Sequence, residues 1–105
     1  MHPLSLDLAG QNRQLDPRRP WTVGSSQFAD VRIDHPGVQD IHLILRWSGA
    51  SWTIEDRGSS NGTLVNTARI NGPHLLRDGD VVRIGQTQLI FHAGGDDDLR
   101  RTTPA

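Results

Sequence analysis

The chain has 105 residues, enough for one domain with a modest core, and the absence of cysteine excludes disulfides, thiolate metal sites and cysteine nucleophiles. All 11 basic residues are arginine, which excludes a Walker-type phosphate loop and a Schiff-base lysine. The formal net charge of −1 argues against general electrostatic binding to nucleic acid or to an anionic membrane.

No apolar stretch approaches the roughly 20 residues that a membrane-spanning helix requires. The first eight residues also lack the basic region and continuous apolar run of a signal peptide. We therefore expect a soluble, cytoplasmic domain, either alone or as part of a larger polypeptide.

Period-two alternation of apolar and polar residues dominates the chain, and helical periodicity is absent. Leu4, Leu6 and Leu8 alternate with polar neighbours, as a half-buried strand requires. Strand-like segments then follow in chain order at 21–23, 31–33, 41–47, 52–55, 64–66, 68–70, 81–84 and 89–91. Short strands separated by glycine, asparagine, aspartate or proline predict an all-β, two-sheet antiparallel β-sandwich. This domain is expected to span 1–93, with 94–105 as a disordered tail or linker.

The segment 58–63, Gly-Ser-Ser-Asn-Gly-Thr, lies between two predicted strands. Backbone amides, hydroxyls and an amide side chain concentrated in one loop suit an oxyanion or a peptide backbone. A tight turn in which Asn61-Gly62 supplies a positive φ explains the same residues without a ligand.

Further motifs occur in order around this loop. They are Trp21-Thr22-Val23-Gly24, Ala29-Asp30-Val31-Arg32-Ile33, His42, Val65-Asn66, Leu76-Arg77-Asp78-Gly79-Asp80 and Ile84-Gly85. With 58–63, they closely resemble a forkhead-associated (FHA) domain over roughly residues 21–92. The resemblance implies a two-sheet sandwich whose loops at one end bind phosphothreonine peptides.

Site residues follow from the resemblance, position by position. It implies that a phosphate-contacting hydroxyl is Ser60, that the ligand backbone is held by Asn61, and that Ser59 belongs to the same ligand-binding loop. It implies structural bracing of the loops by Gly24, His42, Gly62 and Asn66.

The chain departs from the family pattern where the phosphate would be held. Ser25 occupies a position that is arginine in the family, Gln39 one that is serine, and Asp40 adds a negative charge beside it. Lost charge-assisted hydrogen bonds of about 1.5–3 kcal/mol each would remove about two to four decades of affinity. Arg57 and Arg46 are candidate substitute cations, although solvated arginines that cover a sheet face are the favoured interpretation of each.

The sequence thus predicts a regulatory or scaffolding module that binds a protein or peptide partner, with lost or weak phosphothreonine binding. One alternative is a functional phosphothreonine reader that uses Arg57 or Arg46. Another is an assembly domain of a larger transporter, secretion ATPase or enzyme. No cofactor or metal is expected, and a standalone enzyme is the least expected class because no nucleophile–base pair is visible. Thr102 and Thr103 could serve as a phosphorylated ligand for the domain itself.

Overall fold

A computed structural model describes residues 4–8 and 10–92 of the chain. Eleven strands are found over these residues. In chain order they are β1 (Leu4–Leu8), β2 (Gln11–Leu15), β3 (Trp21–Gly24), β4 (Val31–Arg32), β5 (Leu43–Trp47), β6 (Trp52–Asp56), β7 (Thr63–Val65), β8 (Ala68–Arg69), β9 (His74–Leu75), β10 (Val81–Ile84) and β11 (Thr87–His92).

The strands form two sheets that pack as a sandwich. One sheet has six strands in the order β2-β1-β11-β10-β7-β8, and the other has five in the order β4-β3-β5-β6-β9. Alternate residues of the long strands face inward, so that β1 contributes Leu4 and Leu6 to the core and β11 contributes Leu89 and Phe91. The prediction of an all-β, two-sheet sandwich is confirmed.

Three features differ from the sequence-based prediction. The strands β2 and β9 were not predicted, because Gln11–Leu15 is polar until its last residue and His74–Leu75 is only two residues long. The pair β3–β4 is parallel, with Gly24 opposite Arg32, whereas every other pair is antiparallel among the described residues. The connection 25–30 loops back beside β3, which places β4 at the edge of its sheet.

The topology brings several loops to one end of the sandwich. Because β5 is antiparallel to both β3 and β6, the end of β3, the start of β5 and the end of β6 lie together. In the other sheet Ile84 pairs with Thr63, so the end of β10 and the start of β7 are also neighbours.

No helix in the described residues is long and apolar enough to cross a bilayer. The predicted tail at 94–105, with Thr102 and Thr103, lies outside the described residues.

Candidate functional site

The loop after β3 is packed directly against the segment that precedes β5. Ser25 donates its backbone N–H to the carbonyl oxygen of Gln39 at 2.8 Å, and Ser26 donates to that of Asp40 at 3.1 Å. A Cβ atom at Gly24 would lie 2.0 Å from the Asp40 carbonyl oxygen, so only glycine allows this approach. Ser25, Gln39 and Asp40 therefore share one surface.

The buried side chain of His42 connects this surface to the loop 57–62. Its Nδ1 accepts a hydrogen bond from the Gln39 backbone N–H at 3.1 Å, and its Nε2 lies 2.9 Å from the Gly62 carbonyl oxygen. This pattern requires the Nε2–H tautomer, because a carbonyl oxygen can only accept. The imidazole holds two loops at a fixed separation while remaining away from solvent.

The loop 57–62 is organised around the carboxylate of Asp56. The carboxylate accepts hydrogen bonds from the backbone N–H groups of Gly58 (2.9 Å) and Ser59 (3.0 Å). It also accepts from the hydroxyls of Ser59 (2.5 Å) and Thr63 (2.8 Å). Partial burial acts to raise the pKa of Asp56, but these hydrogen bonds outweigh it and the net pKa lies below the usual 3.8.

Within the loop, neighbouring side chains have opposite orientations. Ser59 is buried, and its hydroxyl donates to Asp56 and accepts from the Gly62 N–H at 2.9 Å. The Ser59 hydroxyl therefore makes its described hydrogen bonds inside the loop, and the ligand-binding role that the resemblance implies for Ser59 stays a prediction. Ser60 and Asn61 are exposed. Asn61 donates from Nδ2 to the Gly37 carbonyl oxygen at 3.1 Å.

A groove of about 330 Å³ opens beside Asn61. Gly37, Gly62, Arg83 and Gly85 contribute to its lining. Asn66 lies at the other end of the β7–β10 pair, where it donates from Nδ2 to Asp80 at 2.8 Å and accepts from the Val81 N–H at 3.0 Å. The arrangement offers hydrogen-bonding groups on a braced framework next to a groove that an extended peptide can enter.

Comparison with known proteins agrees with this geometry. The family model described as "FHA domain" matches residues 21–85. This chain belongs to the FHA domain family. FhaA, an FHA domain-containing protein of Mycobacterium tuberculosis, is 40% identical over 68 residues, which cover 65% of this chain and 13% of FhaA. The glycogen accumulation regulator GarA of Mycolicibacterium smegmatis is 34% identical over 91 residues, covering 86% of this chain and 56% of GarA.

Solved structures show the same FHA fold. One, from a structural and functional analysis of phosphothreonine-dependent FHA domain interactions, has a TM-score of 0.79 at 34% identity. It covers 86% of this chain and 95% of that one. The FHA domain described here therefore spans only a small part of FhaA and about half of GarA.

The two arginines proposed as substitute cations lie at different ends of the FHA domain. Trp21 pairs with Leu45, so Arg46 lies next to the beginning of β3, at the end of the sandwich opposite to Gly24. There it lines a separate cavity with Pro17, Pro20 and other residues. Arg57 is exposed at the start of the site loop, and its backbone N–H donates to the His42 carbonyl oxygen at 2.9 Å. Arg46 is therefore not brought to the site, whereas Arg57 is adjacent to it.

Two other residues of the site were not singled out from the sequence. Arg32 donates from Nε to the Ser25 carbonyl oxygen at 3.1 Å, an approach created by the parallel pairing of β4 with β3. Phe28, in the loop between these strands, is 82% exposed. Phe28 could have been noticed in the sequence as a phenylalanine in an otherwise polar loop. Nothing in the local sequence distinguishes Arg32 from the other arginines.

No group of three or more histidine or acidic side chains could hold a metal ion within the described part of the chain.

Proposed function

We propose that this FHA domain binds an extended segment of a partner protein at the surface formed by Ser25, Gln39, Asp40, Ser60 and Asn61. A phosphothreonine in that segment contributes weakly to its affinity. The domain acts as a regulatory or scaffolding module and performs no chemistry itself, as expected for an FHA domain. A cytoplasmic location is part of the proposal.

The observation that carries the proposal is the presentation of Asn61. Its Nδ2 is fixed on Gly37, its side chain is exposed, and a groove begins beside it. An amide held in one orientation can recognise the backbone of an extended peptide without a large entropic cost on binding. The solved FHA structure from the analysis of phosphothreonine-dependent interactions, at 34% identity, supports a peptide ligand of this kind.

The residues at positions 25, 39 and 40 support weak dependence on phosphate. Ser25 and Gln39 carry no charge, and the exposed Asp40 adds a negative one. A phosphothreonine bears nearly two negative charges, so Asp40 opposes it. Each absent charge-assisted hydrogen bond corresponds to about 1.5–3 kcal/mol, or about one to two decades in dissociation constant.

The experiment compares matched peptides that differ only in phosphorylation of one threonine. Binding peptides are first selected from a degenerate library. Calorimetric titration of each selected peptide is then expected to show that its affinity falls after Asn61→Ala. The Arg46→Ala variant, altered at the opposite end, serves as a control and should bind normally. Binding that is insensitive to Asn61→Ala would place recognition elsewhere and contradict the proposal.

The weak dependence on phosphate has its own test. The double substitution Ser25→Arg and Gln39→Ser restores the family's cation and hydroxyl, and it should raise phosphopeptide affinity by about two decades or more. Micromolar, phosphate-dependent binding by the unaltered domain at several sequences would contradict this part of the proposal.

The alternative reader based on Arg57 makes a distinct prediction, because Arg57 adjoins the site. Arg57→Ala would then abolish binding of the phosphorylated peptide while leaving the unphosphorylated one unaffected.

An assembly role inside a longer polypeptide is supported by the small share of FhaA that this domain covers. In that role the partner segment would lie in the same polypeptide.

A further inference from the structure

We propose that Arg32 is the residue that binds the phosphate group of a phosphorylated ligand, in place of the arginine that the family has at the position of Ser25. This inference rests on the proposed function and assigns the phosphate contact of the same site.

The position of Arg32 is fixed by strand pairing. Gly24 lies opposite Arg32 in the parallel pair of β3 and β4, and the Ile33 N–H donates to the Gly24 carbonyl oxygen at 2.7 Å. The Arg32 side chain then runs toward Ser25, where its Nε donates to the backbone carbonyl oxygen at 3.1 Å. A guanidinium therefore lies against the loop residue that has lost its own cation.

The guanidinium retains donors for a ligand. Nε uses one of its five N–H groups on Ser25, and the side chain is 54% exposed. Its single ion pair among the described residues is with Asp34, whose carboxylate lies 3.6 Å from Nη2 and is 76% exposed. An exposed pair at this separation is weak and is readily displaced by a dianion.

The neighbouring acidic residue Asp30 does not compete for Arg32. Its carboxylate accepts from the Thr22 backbone N–H at 2.8 Å and from Arg19 at 3.1 Å. Asp34 is therefore the carboxylate that a phosphate must replace. Planar guanidinium groups bind phosphate oxygens in a bidentate manner, and an anchored one loses less entropy in doing so.

The test uses small probes, so that it does not depend on knowing the partner. Wild-type domain labelled with ¹⁵N is titrated with inorganic phosphate and with acetylated, amidated phosphothreonine at constant ionic strength. The same blocked threonine without phosphate is the matched control. The readouts are the Nε–H signal of Arg32 and the backbone amide signal of Ser25.

Both signals should shift in a saturable manner with the phosphorylated probe and remain unchanged with threonine. Arg32→Gln keeps a polar side chain and removes the charge, and it should weaken the blocked phosphothreonine by about 10-fold or more. Asp34→Asn should strengthen it several-fold, because the competing carboxylate becomes neutral. Arg46→Gln, at the opposite end, should leave it unchanged.

An unshifted Arg32 Nε–H signal at saturation would overturn the inference, as would an Arg32→Gln variant with wild-type affinity. If Arg32→Gln does not fold, the Nε–H signal and the Asp34→Asn variant still decide. A phosphate response without any Asn61-dependent peptide binding would support the Arg32 assignment and contradict the proposed function. Asn61-dependent peptide binding without a phosphate response at Arg32 would contradict only the Arg32 assignment.

Discussion

Gly24 shows how one missing side chain allows the end of β3 to meet the segment before β5. A Cβ atom at this position would lie 2.0 Å from the Asp40 carbonyl oxygen, 2.6 Å from its carbon and 2.9 Å from the Gln39 carbonyl oxygen. All three are backbone atoms, so they cannot rotate away as a flexible side chain would. Placing even a methyl group here must displace the segment that contains Gln39 and Asp40.

We therefore predict that Gly24→Ala lowers the free energy of unfolding by about 2 kcal/mol or more, as in overpacked cores. Gly72→Ala is the matched control, because a Cβ at Gly72 meets no atom within 4 Å. Urea unfolding of both variants checks the prediction. Equal losses of unfolding free energy at the two glycines would show that the close approach at Gly24 does not determine the effect.

Phe28 is a large apolar side chain that the fold leaves exposed, at 82% of its surface. Its backbone N–H donates to the Ser26 hydroxyl at 3.0 Å, which orders the loop around it. An exposed aromatic side chain in the loop that contains Ser25 suits contact with a partner.

Phe28→Ser is expected to leave the free energy of unfolding within about 0.5 kcal/mol of wild type, because little burial is lost. It should weaken binding of the peptide selected above by about 5-fold or more. Leu75→Ser alters the other exposed large apolar side chain of the described residues, near Arg46 at the opposite end, and should change neither. Calorimetry and thermal unfolding measure the two quantities. Unaltered affinity after Phe28→Ser would exclude this contact.

At the scale of elements, the turn 57–62 depends on the ionised state of Asp56. Its pKa lies below 3.8 because of its hydrogen bonds, despite partial burial. A carboxyl group with a lowered folded-state pKa binds fewer protons in the folded state than in the unfolded state. Its contribution to stability is therefore complete above pH 3.8 and is lost as the pH falls through the folded-state pKa.

Asp56→Asn should accordingly lower stability at pH 7 and flatten its decrease toward acid pH. The measurement is the free energy of unfolding of both proteins between pH 7 and pH 2.5. Because Asp16, whose pKa the hydrogen bonds from Arg18 lower to about 2, also makes stability depend on acid pH, the difference between the two curves is the informative quantity. Parallel curves would show that Asp56 does not contribute to the acid dependence.

The turn between β7 and β8 contains an unfavourable backbone conformation. Thr67 has φ +75°, a left-handed conformation that a β-branched residue adopts at a cost of about 1–3 kcal/mol. The preceding residue, Asn66, also has a positive φ of 50°, which asparagine tolerates better.

Thr67→Gly should raise the free energy of unfolding by about 0.5–1 kcal/mol, after allowance for the greater backbone entropy of unfolded glycine. Thr67→Ala retains a Cβ atom and should gain less. Thermal unfolding of the two variants tests this order. A larger gain for alanine than for glycine would show that the φ angle is not the cause.

At the scale of the whole molecule, the FHA sandwich includes strands outside the matched region 21–85. The strand β1 lies between β2 and β11, and Leu4, Leu6 and Leu15 from this N-terminal hairpin are fully buried. Loss of one buried leucine costs about 2–5 kcal/mol, so the loss of all three exceeds much of the stability of a small domain.

A fragment of residues 21–92 is therefore expected to lack a cooperative unfolding transition. A fragment of residues 1–93 should unfold within a few degrees of the full chain, because it retains every described strand. Circular dichroism during heating distinguishes the two fragments. A folded 21–92 fragment would show that the N-terminal hairpin is dispensable.

The degree to which the sequence predicts the fold varies between strands. Val81–Ile84 was predicted with its observed limits, because alternation and flanking turn residues mark it. The strand Gln11–Leu15 was missed, because its first four side chains are exposed and its place depends on backbone pairing with β1. A polar strand of this kind has no signal in hydrophobic periodicity.

The site shows the same division. The sequence located the loop with Asn61 and the histidine at 42, because these residues occur in a recognisable order. It did not determine that Ser59 is turned inward, since that depends on the Asp56 carboxylate beneath it. The sequence also did not show that Arg32, rather than Arg46 or Arg57, contacts Ser25, because the distance between residues on different strands is not encoded in the local sequence.

The two-sheet architecture could be predicted because turn residues and alternation act over short distances along the chain, and the family could be predicted from motifs that occur in a recognisable order. Which arginine lies against the loop after β3 depends instead on how the strands pair. Parallel pairing of two short strands brings Arg32 to Ser25, whereas antiparallel pairing carries Arg46 to the far end. Contacts made through strand pairing depend on the register of distant segments, which no single stretch of sequence specifies.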